Sequence, residues 1–512
     1  MTRPGRRSLS PEVQITTGPS KDATPLHTRI YRRLREHILE RGFAAGARLP
    51  SARTLASDLK VSRNTVETAF AQLVAEGFVV RKVGAGTVVA DSLVELAPFS
   101  SPRHRGASTA EGHRAASKAR LSRRGTAIAR RSGGPEPEFV APDVTDIDAF
   151  PVGTWNRLMA RQVRRGAAVM MSSCSPHGLR ELRAQIAEYA SLARGVRCHA
   201  DQVVVVSGTQ QALDLSARVL LDPGDEAIIE HPGYVSGRNA LASAGARLRP
   251  IAIDEEGLRA DRLPESKGRR LVYLTPSHQF PTGVILSLPR RLAILGWAAR
   301  TGAWILEDDY DSEFRYDGRP LAALQALDTN ERVIYIGTFN KVLFPGLRLG
   351  YLIVPEGLID AFIAARRVTD GFSSSLSQMT LADFMASGHF SAFLRQARQR
   401  YGEKRRRLVE GVAREWSGSV RLGPSSTGLH VVAHLPDAVD DVRLARDTQH
   451  TRLGVTPLSP YYAGTEVRRG LILSYGATPV GEITSSIERM APLIDAAIRA
   501  GVAPRTRASL TS

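Results

Sequence analysis

The chain has 512 residues, 43% of them hydrophobic and 23% charged, which exceeds one domain and excludes a wholly disordered, collagen-like or membrane-embedded protein. Its net charge of +18 is unevenly placed: residues 1–135 hold 24 Lys+Arg against 10 Asp+Glu, and the remainder 45 against 41. A basic front part of this kind attracts polyanions, and a nearly neutral body follows it. Two cysteines, Cys174 and Cys198, exclude a disulfide scaffold and a four-thiolate zinc site. No run of about 18 apolar residues predicts a membrane span, and Met1–Lys21 lacks an apolar signal core, so the expected compartment is the cytoplasm, with no membrane partner.

Residues 1–23 read as a disordered arm. Residues 24–91 read as a small α+β domain. Within it, Ile30, Leu34, Ile38 and Leu39 make one apolar face of a helix over Pro25–Gly42. A turn leads to a second helix beginning at Ser51, a cap, with Leu55, Ala56 and Leu59 inward. Val61-Ser62 joins it to a third helix, Arg63–Glu76, whose Val66, Ala69, Phe70 and Leu73 face inward. The first turn of that helix presents Ser62, Arg63, Asn64 and Thr65. Two helices on a short turn, the second opening on hydrogen-bonding side chains, suit a DNA major groove. Gly77–Val89 reads as a β-hairpin, a wing.

Residues 92–135, rich in Ala, Ser, Gly and Arg, read as a flexible basic linker. From 136 to 512 apolar runs alternate with helical stretches. Val203–Ser207, Ala227–Glu230, Leu271–Leu274, Trp304–Glu307 and Val333–Ile336 read as buried strands of a mostly parallel α/β sheet. Ile336–Gly350 carries one lysine, Lys341, three residues after Thr338 and seven before Arg348. An amine at a fixed place can form a Schiff base, and a hydroxyl with a guanidinium can hold a phosphate dianion. Gly208 and Thr209, where a strand passes into a helix, offer backbone amides suited to a phosphate.

Leu49-Pro-Ser-Ala-Arg53, Val61-Ser-Arg-Asn-Thr65, Leu73-Val-Ala-Glu-Gly-Phe78 and Gly84-Ala-Gly-Thr87 together resemble the winged helix-turn-helix of GntR-family regulators. The resemblance implies binding to double-stranded operator DNA through Arg53, Ser62, Arg63, Asn64 and Thr65. The Lys341 segment is similar to the lysine motif of fold-type I, class I/II aminotransferases that use pyridoxal 5'-phosphate. So are Val206–Leu213, Glu230-His-Pro-Gly-Tyr234, Thr275–Gly283 and Ile305–Phe314, in that chain order. This resemblance implies a transferase-like domain, with a large part over about 160–385 and a small part over about 386–505. It implies cofactor contacts from Lys341, Asp308, Tyr310, Gly208, Thr209, Tyr234, Thr338 and Arg348. Tyr234 would stack on the ring, Tyr310 would donate to the ring oxygen, and Asp308 would hold the ring nitrogen protonated; Asp309 is the alternative. No metal is expected.

The two halves in this order resemble the MocR subfamily of GntR regulators. That implies a transcriptional regulator in which the cofactor domain senses a small amine, an amino acid or the B6 vitamer, within a domain-swapped homodimer. The alternative is a working aminotransferase docked on DNA. Departures are visible. Asn340 stands where serine is common, and Phe280 where enzymes carry asparagine. Ser173 stands near the place of a tyrosine that contacts the partner subunit's phosphate. Ile472 stands where the substrate-carboxylate arginine aligns, leaving Arg468, Arg469 and Arg238 as candidates.

Overall fold

The computed structural model describes residues 24–39, 43–82, 84–91, 121–132, 144–265, 268, 270–318, 320–416, 418, 420–464 and 466–502. The arm expected over 1–23, and most of the expected linker, lie outside these residues. The chain divides into two compact units, residues 1–119 and 120–512.

In the first unit, α1 (Leu26–Leu39) buries Ile30, Tyr31, Leu34 and Ile38, while Leu39 is half-buried. Two Ser-x-x-Thr sequences start the next helices. The Ser51 hydroxyl accepts from the Thr54 amide at 3.1 Å and caps α2 (Ala52–Asp58). Ser62 does the same with Thr65, at 3.1 Å, for α3 (Arg63–Ala75). Each such cap is worth about 1 kcal/mol. The hairpin has β1 (Val79–Lys82) antiparallel to β2 (Gly86–Val89). Leu55, Val66, Phe70, Leu73, Val79 and Val89 share one core. Arg81 donates to Glu67 at 2.8 Å, tying the hairpin to α3.

In the second unit, α4 (Arg123–Ser132) corrects the expectation of a linker through residue 135. Its alanines and arginines are good helix formers, and Arg124 Nε donates to the Ser243 carbonyl at 2.9 Å. After it come α5 (Val152–Arg165), α6 (Ala167–Met171) and α7 (Arg180–Arg194). The large sheet is built from β3 (Val203–Val206), β4 (Glu226–His231), β5 (Arg247–Asp254), β6 (Gly257–Leu258), β7 (Arg270–Leu274), β8 (Trp304–Asp309), β9 (Val333–Thr338) and β10 (Gly350–Ile353). Its order is β3-β10-β9-β8-β7-β4-β5-β6. All five expected strands are present. β9, β8, β7, β4 and β5 run parallel, and β10 is antiparallel to both β3 and β9. Helices α8 (Thr209–Leu220), α9 (Val235–Ser243) and α10 (Leu288–Thr301) connect strands. Leu306, Ile334 and Ile336 pack with Leu213 of α8 on one face. Ile305 and Val333 pack with Ile294 and Trp297 of α10 on the other.

Helices α11 (Ile359–Thr369), α12 (Ser375–Ala386) and α13 (His389–Glu415) lead to a four-stranded antiparallel sheet. It comprises β11 (Arg421–Leu422), β12 (His430–His434), β13 (Gly454–Pro457) and β14 (Gly470–Ser474), with α14 (Asp441–Asp447) against β13 and β14 and α15 (Ile483–Val502) against α13 and α14. Among the described residues no helix is long and apolar enough to cross a membrane.

Candidate functional site

In a parallel sheet, ligands settle beyond the carboxyl ends of the strands. The ends of β3, β7, β8 and β9 deliver Gly208, Thr275, Asp308 and Thr338 to one edge, and there lies a cavity of about 170 Å³. All eight residues expected at a cofactor line it: Lys341, Asp308, Tyr310, Gly208, Thr209, Tyr234, Thr338 and Arg348. Phe280, Asn340, Tyr273, Thr275, Gln210 and Pro345 complete the lining. The last four had no role assigned from sequence. The period-2 alternation of β7 could have found Tyr273, since it points to the same face as Leu271.

The same alternation decides between the two aspartates. Asp308 faces the cavity, and its Oδ2 accepts from Tyr273 Oη at 2.7 Å. Burial, then the charge of Asp308, raises the Tyr273 phenol well above its ordinary value, so it stays a donor. Asp309 faces the opposite side. Arg194 grips it at 2.6 and 3.1 Å, and Tyr335 donates to it at 2.5 Å. Arg194 and Asp309 are both buried.

At the phosphate-suited end, Gly208 caps α8 with φ +127°, a conformation that favours glycine. A Cβ there would stand 2.6 Å from Asn340 Nδ2. Asn340 holds the lysine loop in place: its Nδ2 donates to the Ser207 carbonyl at 3.3 Å, and its Oδ1 accepts from the Leu349 amide at 2.9 Å. The departure from serine therefore serves a structural bond. Gly208 and Thr209 at the N-terminus of α8, Thr338 and Arg348 all line this cavity. This donor set fits a phosphate dianion.

Phe280 meets Tyr234 edge-on, with ring centroids 5.5 Å apart. Ile472 is fully buried beside Val432 and Leu458, on the β14 strand. Arg469 pairs with Asp441 at 3.1 Å. Arg238 lines a small recess with Glu230, Tyr234 and Tyr273. Neither Arg468, Arg469 nor Arg238 lines the main cavity.

Glu230 lies behind Thr275. It accepts from Thr275 Oγ1 at 2.7 Å, the Thr275 amide at 3.2 Å and Gln279 at 3.3 Å. Burial nevertheless raises its carboxyl to about 7. The folded state thus holds this proton more tightly than the unfolded state. The stabilisation is complete below the ordinary value of 4.5 and is lost as pH rises through about 7. Glu230→Gln is expected to remove on the order of 3 kcal/mol from the decline in stability across that window, measured by urea unfolding at several pH values.

In the first unit, Arg53, Ser62, Arg63 and Asn64 are exposed. Thr65 is half-buried, and its hydroxyl shares a 2.7 Å hydrogen bond with Ser62. Ser62 and Thr65 therefore shape the start of α3, while Arg63 and Asn64 extend outward. Arg63 is 70% exposed at its side chain, 3.7 Å from Glu67.

Residues 160–471 match the family model of aminotransferase class I and II, and residues 26–89 that of bacterial regulatory proteins, gntR family. The probable rhizopine catabolism regulatory protein MocR of Rhizobium meliloti is 37% identical over 95% of this chain and 97% of its own length. The pyridoxine biosynthesis transcriptional regulator PdxR of Corynebacterium glutamicum is 31% identical over 91% of this chain and 95% of its own. Among solved structures, LysN, the α-aminoadipate aminotransferase of Thermus thermophilus, aligns with a TM-score of 0.66 at 26% identity, covering 72% of this chain and 98% of that one.

A helix-turn-helix with a β-hairpin, followed by an aminotransferase fold, defines a DNA-binding transcriptional regulator. The chain belongs to the aminotransferase class I and II family through its larger unit and to the GntR family through its smaller one. Together they make it a member of the MocR subfamily of GntR-type regulators.

Proposed function

We propose that the larger unit holds pyridoxal 5'-phosphate and senses a small amine, an amino acid or the vitamer itself, and that this state governs operator binding by the smaller unit. The observation that carries the reading is convergence: eight residues spread from Gly208 to Arg348 line one cavity. Bound there, the cofactor supplies an aldehyde that condenses with amines and a ring that withdraws electrons. Lys341 would offer the amine. Gly208, Thr209, Thr338 and Arg348 would hold the phosphate. Asp308, fixed by Tyr273, would keep the ring nitrogen protonated, and Tyr234 would cover the ring face. Sensing requires that the effector bind the DNA-competent and incompetent arrangements with different affinity.

The cytoplasmic, homodimeric state belongs to the same reading. Val163, Val169 and Met171 are exposed apolar side chains, Met171 at 81%, and they suit a face covered by a second copy. In the purified full chain, added pyridoxal phosphate is expected to produce a visible absorbance band. An effector screen read by that band and by operator binding tests the sensing. Turnover of ordinary amino acids at ~1–1000 per second would overturn the regulatory reading in favour of an enzyme.

For the DNA half, Arg63→Ala is expected to weaken operator binding roughly tenfold or more, measured by fluorescence anisotropy, with the visible band unchanged. Unchanged affinity would remove Arg63 from the DNA contact.

A further inference from the structure

The chemistry assigned to the cavity leaves one buried pair unused. His278 and Asp311 lie directly behind Tyr310. His278 is 2% exposed and Asp311 1%. His278 Nδ1 stands 2.9 and 3.1 Å from the two Asp311 oxygens, and 3.0 Å from Tyr310 Oη.

The tautomer follows from this geometry. A carboxylate and a bare ring nitrogen at 2.9 Å are two acceptors and would repel. Asp311 therefore fixes the proton of His278 on Nδ1. That N–H is shared between Asp311 and Tyr310, so the phenol oxygen accepts from His278. The phenol O–H is consequently turned away from His278, and Tyr310 lines the cavity.

The surroundings hold the arrangement rigid. The carbonyl of Gly428 accepts from Tyr316 Oη at 2.7 Å and from Tyr475 Oη at 2.6 Å. A Cβ on Gly428 would stand 2.0 Å from His278 Cε1, so the ring packs directly against this glycine. The groups facing His278 are Asp311, Tyr310 and His430, whose ring centroid is 4.9 Å away. His430 donates from Nε2 to the Pro281 carbonyl at 3.0 Å, and burial drops it to about 3, so it stays neutral. Tyr316 and Tyr475 carry phenols raised by burial and remain donors.

We infer that His278 and Asp311 are positioning residues that commit Tyr310 to donating its hydroxyl proton into the cavity, toward an oxyanion of the bound ligand. This rests on the reading of the cavity as a pyridoxal phosphate site, where the oxyanion is the ring oxygen.

The test titrates the visible band of the cofactor-loaded full chain against pH. A donor to the ring oxygen favours the deprotonated form, so losing it raises the midpoint. Tyr310→Phe is expected to raise it by roughly one pH unit, the worth of one hydrogen bond to a charged group. Asp311→Asn can donate to His278 Nδ1, which moves the ring proton to Nε2 and removes the N–H that Tyr310 accepts, so its O–H is no longer held toward the cavity. It is expected to raise the midpoint in the same direction, and the Tyr310→Phe/Asp311→Asn double variant no further than Tyr310→Phe alone. His278→Gln, whose amide can still donate to Tyr310, is expected to stay near the wild type.

An Asp311→Asn midpoint equal to wild type, or shifts that add in the double variant, would overturn the inference. ¹⁵N-histidine NMR of the full chain without cofactor supplies a second readout. His278 is expected as the Nδ1–H form in the wild type and the Nε2–H form in Asp311→Asn, and an Nε2–H wild type would also overturn it. A wild type that takes up no pyridoxal phosphate would sink the cofactor reading and leave this tautomer assignment standing on the NMR result.

Discussion

Lys341→Ala is expected to abolish the visible absorbance that the wild-type chain gains with pyridoxal phosphate. Lys341 is the lysine among the cavity's lining residues, so the variant leaves no amine there to close the covalent link. The phosphate-suited end is untouched: Gly208, Thr209, Thr338 and Arg348 come from other positions, and Asn340 holds the loop through its own bonds. The variant is therefore expected to bind the vitamer reversibly and lose it on gel filtration, while the wild type retains it. Operator affinity without effector should change little, because α3 and the hairpin belong to the other unit. A band that survives in Lys341→Ala would show that another amine carries the linkage.

The second large effect is one of stability. Arg194→Ala removes the partner of a fully buried carboxylate. Asp309 would keep Tyr335 but lose two guanidinium bonds at 2.6 and 3.1 Å, and Ser277 would lose its 2.7 Å contact. Breaking a buried pair on one side costs about 3–5 kcal/mol, because the remaining charge has lost water and gained nothing. Replacing both members by apolar residues, Arg194→Met with Asp309→Leu, is expected to restore much of that loss. Urea unfolding of the larger unit, followed by tryptophan fluorescence, reads both. If the single and double variants lose the same amount, the cost comes from packing and not from an orphaned charge.

Much of this architecture was legible in the residues. The Ser51 and Ser62 caps, the inward stripe of α3 and the five apolar strands follow from local rules of hydrogen bonding and periodicity. Cavity residues were legible because short motifs at strand ends carry their own chemistry. What escaped was non-local. β5 reads as polar, beginning Arg247-Leu-Arg-Pro, yet it pairs along its length with β4. The α4 helix is short of large apolar residues and gains its place by contact with the Ser243 carbonyl. Asp308 and Asp309 are neighbours of the same type, and only the pleat of a formed strand separates their fates. His278 and Asp311 stand 33 residues apart, and nothing in either segment announces the other.

That pleat has an evolutionary corollary. Along β8, Glu307 and Asp309 secure the scaffold, Glu307 by accepting the Leu324 and Gln325 amides at 2.6 and 2.8 Å, while Asp308 between them faces the cavity. One frame-preserving codon gained within Trp304–Glu307 would shift these acids by one place, sending Glu307 to the pocket and the pocket's acid to Arg194. The length of this short stretch is thus as constrained as its buried side chains.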